Sequence, residues 1–379
     1  MSNFDRRDFV KVTGGLGVAG LTGLAGCSGG PSGDGGGSET TTTSGETSDG
    51  ETTTEAEAAA NIGLVYGTGG TGDGSFNDQA KQGIEQAVEE LDIAYQSAEP
   101  DEVSQFSNYQ QQFASSTDPN YDLVSCIGYL QADALSESAS QYPDQQFQIV
   151  DSTVEGDNVA SYVFQEHEGS FLTGVLAGHL TTMSFEAGAG ATQSDSTNVG
   201  FVGGVEGDLI GKFEAGYKAG VKYANDDVDI QTSYVGSFND PSGGQEAALA
   251  MYNSGADIVY HASGNTGTGV FQAAQQKGRF AIGVDRDQSL TKPSYADVIL
   301  ASMVKRVDTA VYNCVKNVVN ENFNGGSTTT LGLQDGGVAC VYGDELGGDI
   351  PEDVKTAVAD ARQSIIDGDI DVPTDPNDA

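Results

Sequence analysis

The pentapeptide Gly-Ser-Phe-Asn-Asp occurs twice, at residues 74–78 and 236–240, each time after a short apolar run. Phe76 and Phe238, facing one another across a gap, would clamp a flat solute. Offset stacking contributes about 0.5–1.5 kcal/mol per aromatic pair beyond area burial. Asn77 and the neighbouring Asp78 add an amide and a carboxylate for polar edges, and the Ser-x-Asn-Asp pattern also suits a helix N-cap. The competing reading is a pair of ordinary strand-to-helix junctions with a buried Phe in each.

Other candidates also sit at the ends of apolar runs. Asp285-Arg286-Asp287 follows the run 281–284 and is either a binding site or a solvated acidic turn. Asp285-x-Asp287-x-Ser289 resembles the start of a calcium loop, but Leu290 stands where glycine is required and no acid closes it, so no metal is expected. Lys305, just past the run 298–303, is a site cation or a salt-bridge partner. His261, after Val259-Tyr260, lines a cleft or caps a strand. Gly67-x-Gly69-x-x-Gly72 fits a dinucleotide fingerprint, yet the helical period opens only after Asn77, so it reads as a flexible loop at a cleft mouth.

The machinery of an enzyme is not in evidence. There is no GxSxG, no HExxH and no compact carboxylate cluster, so a hydrolase or phosphorylase is disfavoured against a capture protein, and no cofactor is expected. His167, His179 and His261 are too dispersed for a zinc cluster. Cys126, Cys314 and Cys340 lie in apolar runs without CxxC spacing and read as buried thiols, with one disulfide left open.

Positioning these residues requires a particular framework. Strand candidates at 62–66, 123–128, 147–150, 199–202, 234–235, 258–260 and 281–284 alternate with helical faces such as Phe213, Tyr217, Val221, Ala224 and Val307, Val311, Cys314, Val318. Repeated strand-then-helix units predict doubly wound parallel α/β sheets, and the length predicts two lobes with a hinge. Ligands of such sheets sit beyond the carboxyl ends of the strands, where both Phe-Asn pairs fall. The stretch 171–183, with Gly174-x-x-x-Gly178, reads as a tightly packed core helix rather than a membrane dimer motif.

The N-terminus carries an address. Arg6-Arg7 precedes a glycine-rich apolar run ending in Leu24-Ala25-Gly26-Cys27, the order of a twin-arginine signal and a lipobox, with Cys27 as lipid anchor. Residues 1–27 are thus the signal, and 28–60, rich in Gly, Ser, Thr and acids, a disordered tether. The folded part divides into a first lobe of 61–163 plus about 296–328, a second of 164–295 plus about 329–370, and a flexible tail, 371–379.

Charge sets the surroundings. With 16 Lys+Arg against 56 Asp+Glu among 379 residues, the formal net charge is −40. That excludes nucleic acid and an anionic membrane surface as partners. At molar salt the Debye length falls to about 3 Å and self-repulsion fades, so the balance reads as that of an extreme halophile, with an acidic protein of a mesophile as the rival reading.

Several segments together carry a family resemblance: Ser75-Phe76-Asn77, Glu168-Gly169-Ser170-Phe171, Lys212-Phe213-Glu214-Ala215-Gly216-Tyr217, Gly255-Ala256-Asp257-Ile258-Val259, Gly264-x-x-Gly267-x-Gly269-Val270 and 281–288. The chain resembles the BMP family of basic membrane lipoproteins, the substrate-binding proteins of nucleoside ABC importers, and looks like a haloarchaeal-type member of it. The resemblance implies a two-lobed type I periplasmic-binding-protein fold, a small nucleoside-like ligand, usually a purine nucleoside, and an ABC permease as partner. It further implies that Phe76 and Phe238 sandwich the base, Asp285 bonds ribose hydroxyls, Lys305 is a basic ribose contact and Asp151 a polar contact. Gly67 stands where many members carry an acid. A sugar as ligand, or sensing instead of transport, remains open because lobe closure serves both roles.

Overall fold

A computed structural model describes residues 58–193 and 197–379. The twin-arginine pair, Cys27 and the tether up to residue 57 lie outside the described residues.

The first lobe opens with β1 (Asn61–Val65), α1 (Phe76–Leu91), β2 (Ala94–Ala98), α2 (Phe106–Ala114), β3 (Leu123–Ile127), α3 (Ala132–Gln141), β4 (Gln146–Val150) and β5 (Val159–Phe164). The second lobe follows with α4 (Glu166–Thr181), a hairpin of β6 (Glu186–Ala187) and β7 (Gly190–Ala191), then β8 (Asn198–Gly203), α5 (Asp208–Ala224), β9 (Asp229–Tyr234), α6 (Pro241–Asn253), β10 (Ile258–Ala262), α7 (Gly267–Lys277), β11 (Phe280–Asp285), α8 (Gln288–Thr291) and β12 (Ile299–Lys305). The chain returns to the first lobe for α9 (Val307–Val319) and β13 (Thr328–Leu331), and ends in the second with β14 (Val338–Tyr342) and α10 (Glu352–Ile366).

Each lobe holds one six-stranded sheet, ordered β13-β5-β4-β3-β1-β2 and β14-β12-β11-β10-β8-β9. Helices cover both faces, so the central strands are near-continuous apolar runs; Leu123, Val124, Cys126 and Ile127 of β3 are all fully buried. Two α/β lobes with parallel sheets are the fold predicted, except that edge strand β14 runs antiparallel to β12.

The domain limits need correction. β12, assigned above to the first lobe, pairs with β11 in the second sheet, because its apolar run is buried between β11 and β14 and is no linker. The chain crosses back only after Lys305, and β13 pairs with β5 through Leu331, past the expected limit of 328. Residues 58–60 belong to the fold: Ala60 is buried and the Ala59 N–H donates to the Asp92 carbonyl. The tail is anchored by buried Val372.

Helices α4 and α5 meet through glycines. A Cβ at Gly174 would collide with the Tyr217 carbonyl, and one at Gly220 with the Phe171 carbonyl, which is why a Gly-x-x-x-Gly spacing falls here. Cys126, Cys314 and Cys340 are free thiols.

Candidate functional site

The carboxyl ends of both sheets face a cleft between the lobes that encloses about 690 Å³ of empty space, its open mouth included. Phe76, Asn77, Asp151, Phe238, Asp285 and Lys305 all line it, so all six residues singled out for binding converge on one site.

The two rings are seated alike. Phe76 approaches Gly128 at the exit of β3, where a Cβ would stand 3.4 Å from the ring. Phe238 lies so close over Gly204, at the exit of β8, that a Cβ there would collide with it. Each lobe thus supports one half-buried ring on a strand-exit glycine.

The two pentapeptides nevertheless start their helices differently. α1 begins at Phe76, and its first amides are held by Asp73, whose carboxylate accepts N–H bonds from Ser75 at 2.8 Å, Asn77 at 2.9 Å and Asp78 at 3.1 Å. α6 begins only at Pro241, with Asp240 accepting from the Gly243 N–H at 3.0 Å. Freed from capping, the Ser75 hydroxyl donates across the cleft to Asp285 Oδ2 at 2.5 Å. Asn77 Oδ1 accepts from the Gly67 N–H at 2.9 Å and so positions the loop behind it.

That glycine loop, expected to be flexible, is tied down. Thr71 N–H donates to Glu99 at 3.0 Å, and Gly72 and Gly74 N–H each donate to Asp78 at 2.8 Å. Carboxylates therefore occupy amides that a dinucleotide phosphate would require.

A charge cluster forms the floor. Asp151 and Asp285 sit at the exits of β4 and β11 with φ of 70° and 64°, two of the four non-glycine residues among those described that adopt left-handed backbone. Such strain collects at ligand clamps. Lys305, 2% exposed, places Nζ 2.6 Å from Asp151 Oδ2 and 3.6 Å from Glu166 Oε1. It also lies 4.9 Å from the Phe76 ring centroid, 5.4 Å from that of Phe164 and 5.3 Å from that of Phe213. Burial works against the ammonium, yet Asp151, Glu166 and Asp285 together hold its pKa above the usual value. Burial pushes Asp285 up to about 6, with Lys305 and Ser75 opposing. Glu166, fully buried at the start of α4, is pushed up to about 7, again chiefly by burial and against Lys305.

The raised carboxyls have a consequence for stability. With ordinary values of 3.8 and 4.5 for Asp285 and Glu166, the folded state holds more protons than the unfolded one between about 4 and about 7. Stability from these groups therefore falls as pH rises through that window. Glu166→Gln should flatten the dependence of melting temperature on pH between about 5 and about 7; an unchanged slope would remove Glu166 from this account.

Contacts across the cleft join the lobes. Besides Ser75–Asp285 and Lys305–Asp151, the Gly74 carbonyl accepts from Thr291 Oγ1 at 2.9 Å and Gln288 Nε2 at 3.3 Å. Tyr129 meets Phe238 edge-on, with centroids 6.4 Å apart.

His261 does not line the cleft. It is buried behind it, with Nε2 2.9 Å from Gln288 Oε1, and burial lowers its pKa to about 3. Sequence reasoning missed Asp73, Tyr129 and Glu166, and kept Phe213 out of the named site. Tyr129 was within reach, since it follows Gly128 directly at a strand exit. Glu166 had no signal, being one acid among many. Among the described residues, no group of three or more His, Cys, Asp or Glu is placed to hold a metal ion.

The model of the Bmp family, described as ABC transporter substrate-binding protein PnrA-like, matches residues 60–375. The chain belongs to the Bmp family. A relative from Listeria monocytogenes, named CD4+ T-cell-stimulating antigen, is 37% identical over 83% of this chain and 88% of its own. The ABC transporter nucleoside-binding protein BmpA of Lactococcus lactis is 33% identical over 86% of this chain and 91% of its own. Among solved structures, an ABC transporter solute-binding protein from Aeropyrum pernix K1 is similar with a TM-score of 0.73, at 28% identity, over 83% of this chain and 93% of that one. This Bmp protein is accordingly a substrate-binding protein of an ABC transporter and not an enzyme, with the type I periplasmic-binding-protein fold. Its partners are a small solute and a membrane permease, and it works on the extracytoplasmic side. No helix among the described residues is long and apolar enough to cross a membrane.

Proposed function

We propose that this Bmp protein captures a nucleoside, with a purine base, between Phe76 and Phe238 and delivers it to its importer. The observation that carries this reading is the pairing of one supported ring from each lobe with a carboxylate–lysine cluster in the same cleft. The rings suit the faces of a base, and Asp285, Lys305 and Asp151 suit the hydroxyls of a ribose. The Lactococcus lactis relative, named for nucleoside binding, supports the same ligand class. Cys27 as lipid anchor, twin-arginine export and adaptation to high salt belong to the same reading and rest on the order of the N-terminal motifs and on the net charge of −40.

A thermal-shift screen of nucleosides, sugars and peptides in molar salt tests the proposal. A specific nucleoside at about 100 times its Kd adds about 2.7 kcal/mol of stability. A shift with sugars and none with nucleosides would replace the ligand.

A further inference from the structure

Tyr129 stands in the cleft with a hydroxyl that is buried and has no hydrogen-bond partner among the described residues. A buried hydroxyl left unmade loses the bonds it had with water, so a native site that keeps one needs a reason. Packing supplies none, because phenylalanine would fill the same space. The residue is fixed at ring height: it follows Gly128, against which Phe76 lies, and its own ring meets Phe238 edge-on with centroids 6.4 Å apart. It therefore packs on one ring of the clamp and directly follows the glycine beside the other. Asp151 Oδ1, lining the same cleft, also lacks a partner, its other oxygen being held by Lys305 at 2.6 Å. The two oxygens do not bond one another, so the cleft offers one acceptor and one donor-or-acceptor to whatever enters. Gly67 lines the same cleft and brings no side chain to compete for an incoming ligand. A Cβ there would stand 3.2 Å from the Ile127 carbonyl and 3.4 Å from Asn77 Oδ1.

We infer that Tyr129 is a specificity-determining contact, its hydroxyl bonding the heteroatom edge of the base held between Phe76 and Phe238. The inference rests on the nucleoside reading above and adds to it the residue that reads the base. The sugar end is served by Asp285, Lys305 and the lysine-held Asp151, whereas the Tyr129 ring packs edge-on against a clamp ring. A base whose edge carries an oxygen or an amino group gains a bond there, and one with hydrogen in that place gains none.

Titration calorimetry with inosine and with purine riboside, which lacks the 6-oxygen, tests this on the wild type and on Tyr129→Phe. The variant should weaken inosine about tenfold, the worth of one buried hydrogen bond, and purine riboside by less than about threefold. Its ligand-free melting temperature should be unchanged or higher, since an unpartnered hydroxyl is removed. Equal losses for both ligands would move the contact to the sugar and overturn the inference, as would unchanged inosine affinity or a variant that unfolds. Wild-type protein that binds neither riboside would instead bring down the nucleoside reading, and this inference with it, a result distinct from the preceding ones.

Discussion

Lys305→Met should destabilise the protein by about 3–5 kcal/mol at neutral pH, the cost of leaving buried charge without its partner. Methionine fills the space among Phe76, Phe164 and Phe213, so the loss is electrostatic and not a cavity. Without the ammonium, Asp151, Glu166 and Asp285 lose the cation they share, and Glu166 keeps only the more distant Lys212, at 3.9 Å. The carboxyls then take up protons, and lowering pH toward about 5 should recover much of the loss. Denaturant melts at the two pH values read the difference. A loss of the same size at both would mean that Lys305 acts by packing alone.

Phe76→Ala and Phe238→Ala should each weaken nucleoside binding by about 1–3 kcal/mol, the range for stacking of a base on an aromatic ring. The double variant should lose less than the sum, because the first truncation already leaves the base poorly gripped. Calorimetry on the three variants decides this. Unchanged affinity in both single variants would remove the clamp and leave Phe213, which lines the same cleft, as the ring to test.

Much of the frame was legible because a parallel sheet covered on both faces writes its strands as apolar runs. β1, β3, β4, β8, β10 and β11 stand out that way. β2 (Ala94–Ala98) and β13 (Thr328–Leu331) are polar-rich edge strands, and an edge strand has no such run to display. β12 was visible as a run but assigned to the wrong lobe. Nothing local to residues 299–305 tells which sheet a strand joins; that is fixed by pairing with β11, distant in no obvious way from a linker.

At the site, residues at strand exits were readable because the fold class says where ligands go. Phe76, Phe238 and Asp285 follow from that rule, Asp151 came from the family resemblance alone, and Tyr129 could have been read from the rule. The repeated pentapeptide led to one false equivalence. Asp73 caps α1 from outside the repeat, while Asp240 caps α6 from within it, so identical letters serve different helix starts. Glu166 was invisible because its importance is burial, and burial of a single acid depends on which side chains the hinge brings over it.

The most direct test of the account is calorimetric titration of the wild-type protein, in molar salt, with a purine nucleoside, its free base and ribose. The account predicts tight binding of the nucleoside, weaker binding of the base, which the rings hold while Asp285 and Lys305 go unused, and little heat from ribose alone. Equal affinity for base and nucleoside would contradict the role of the carboxylate–lysine floor, and no binding of any nucleoside would contradict the central claim.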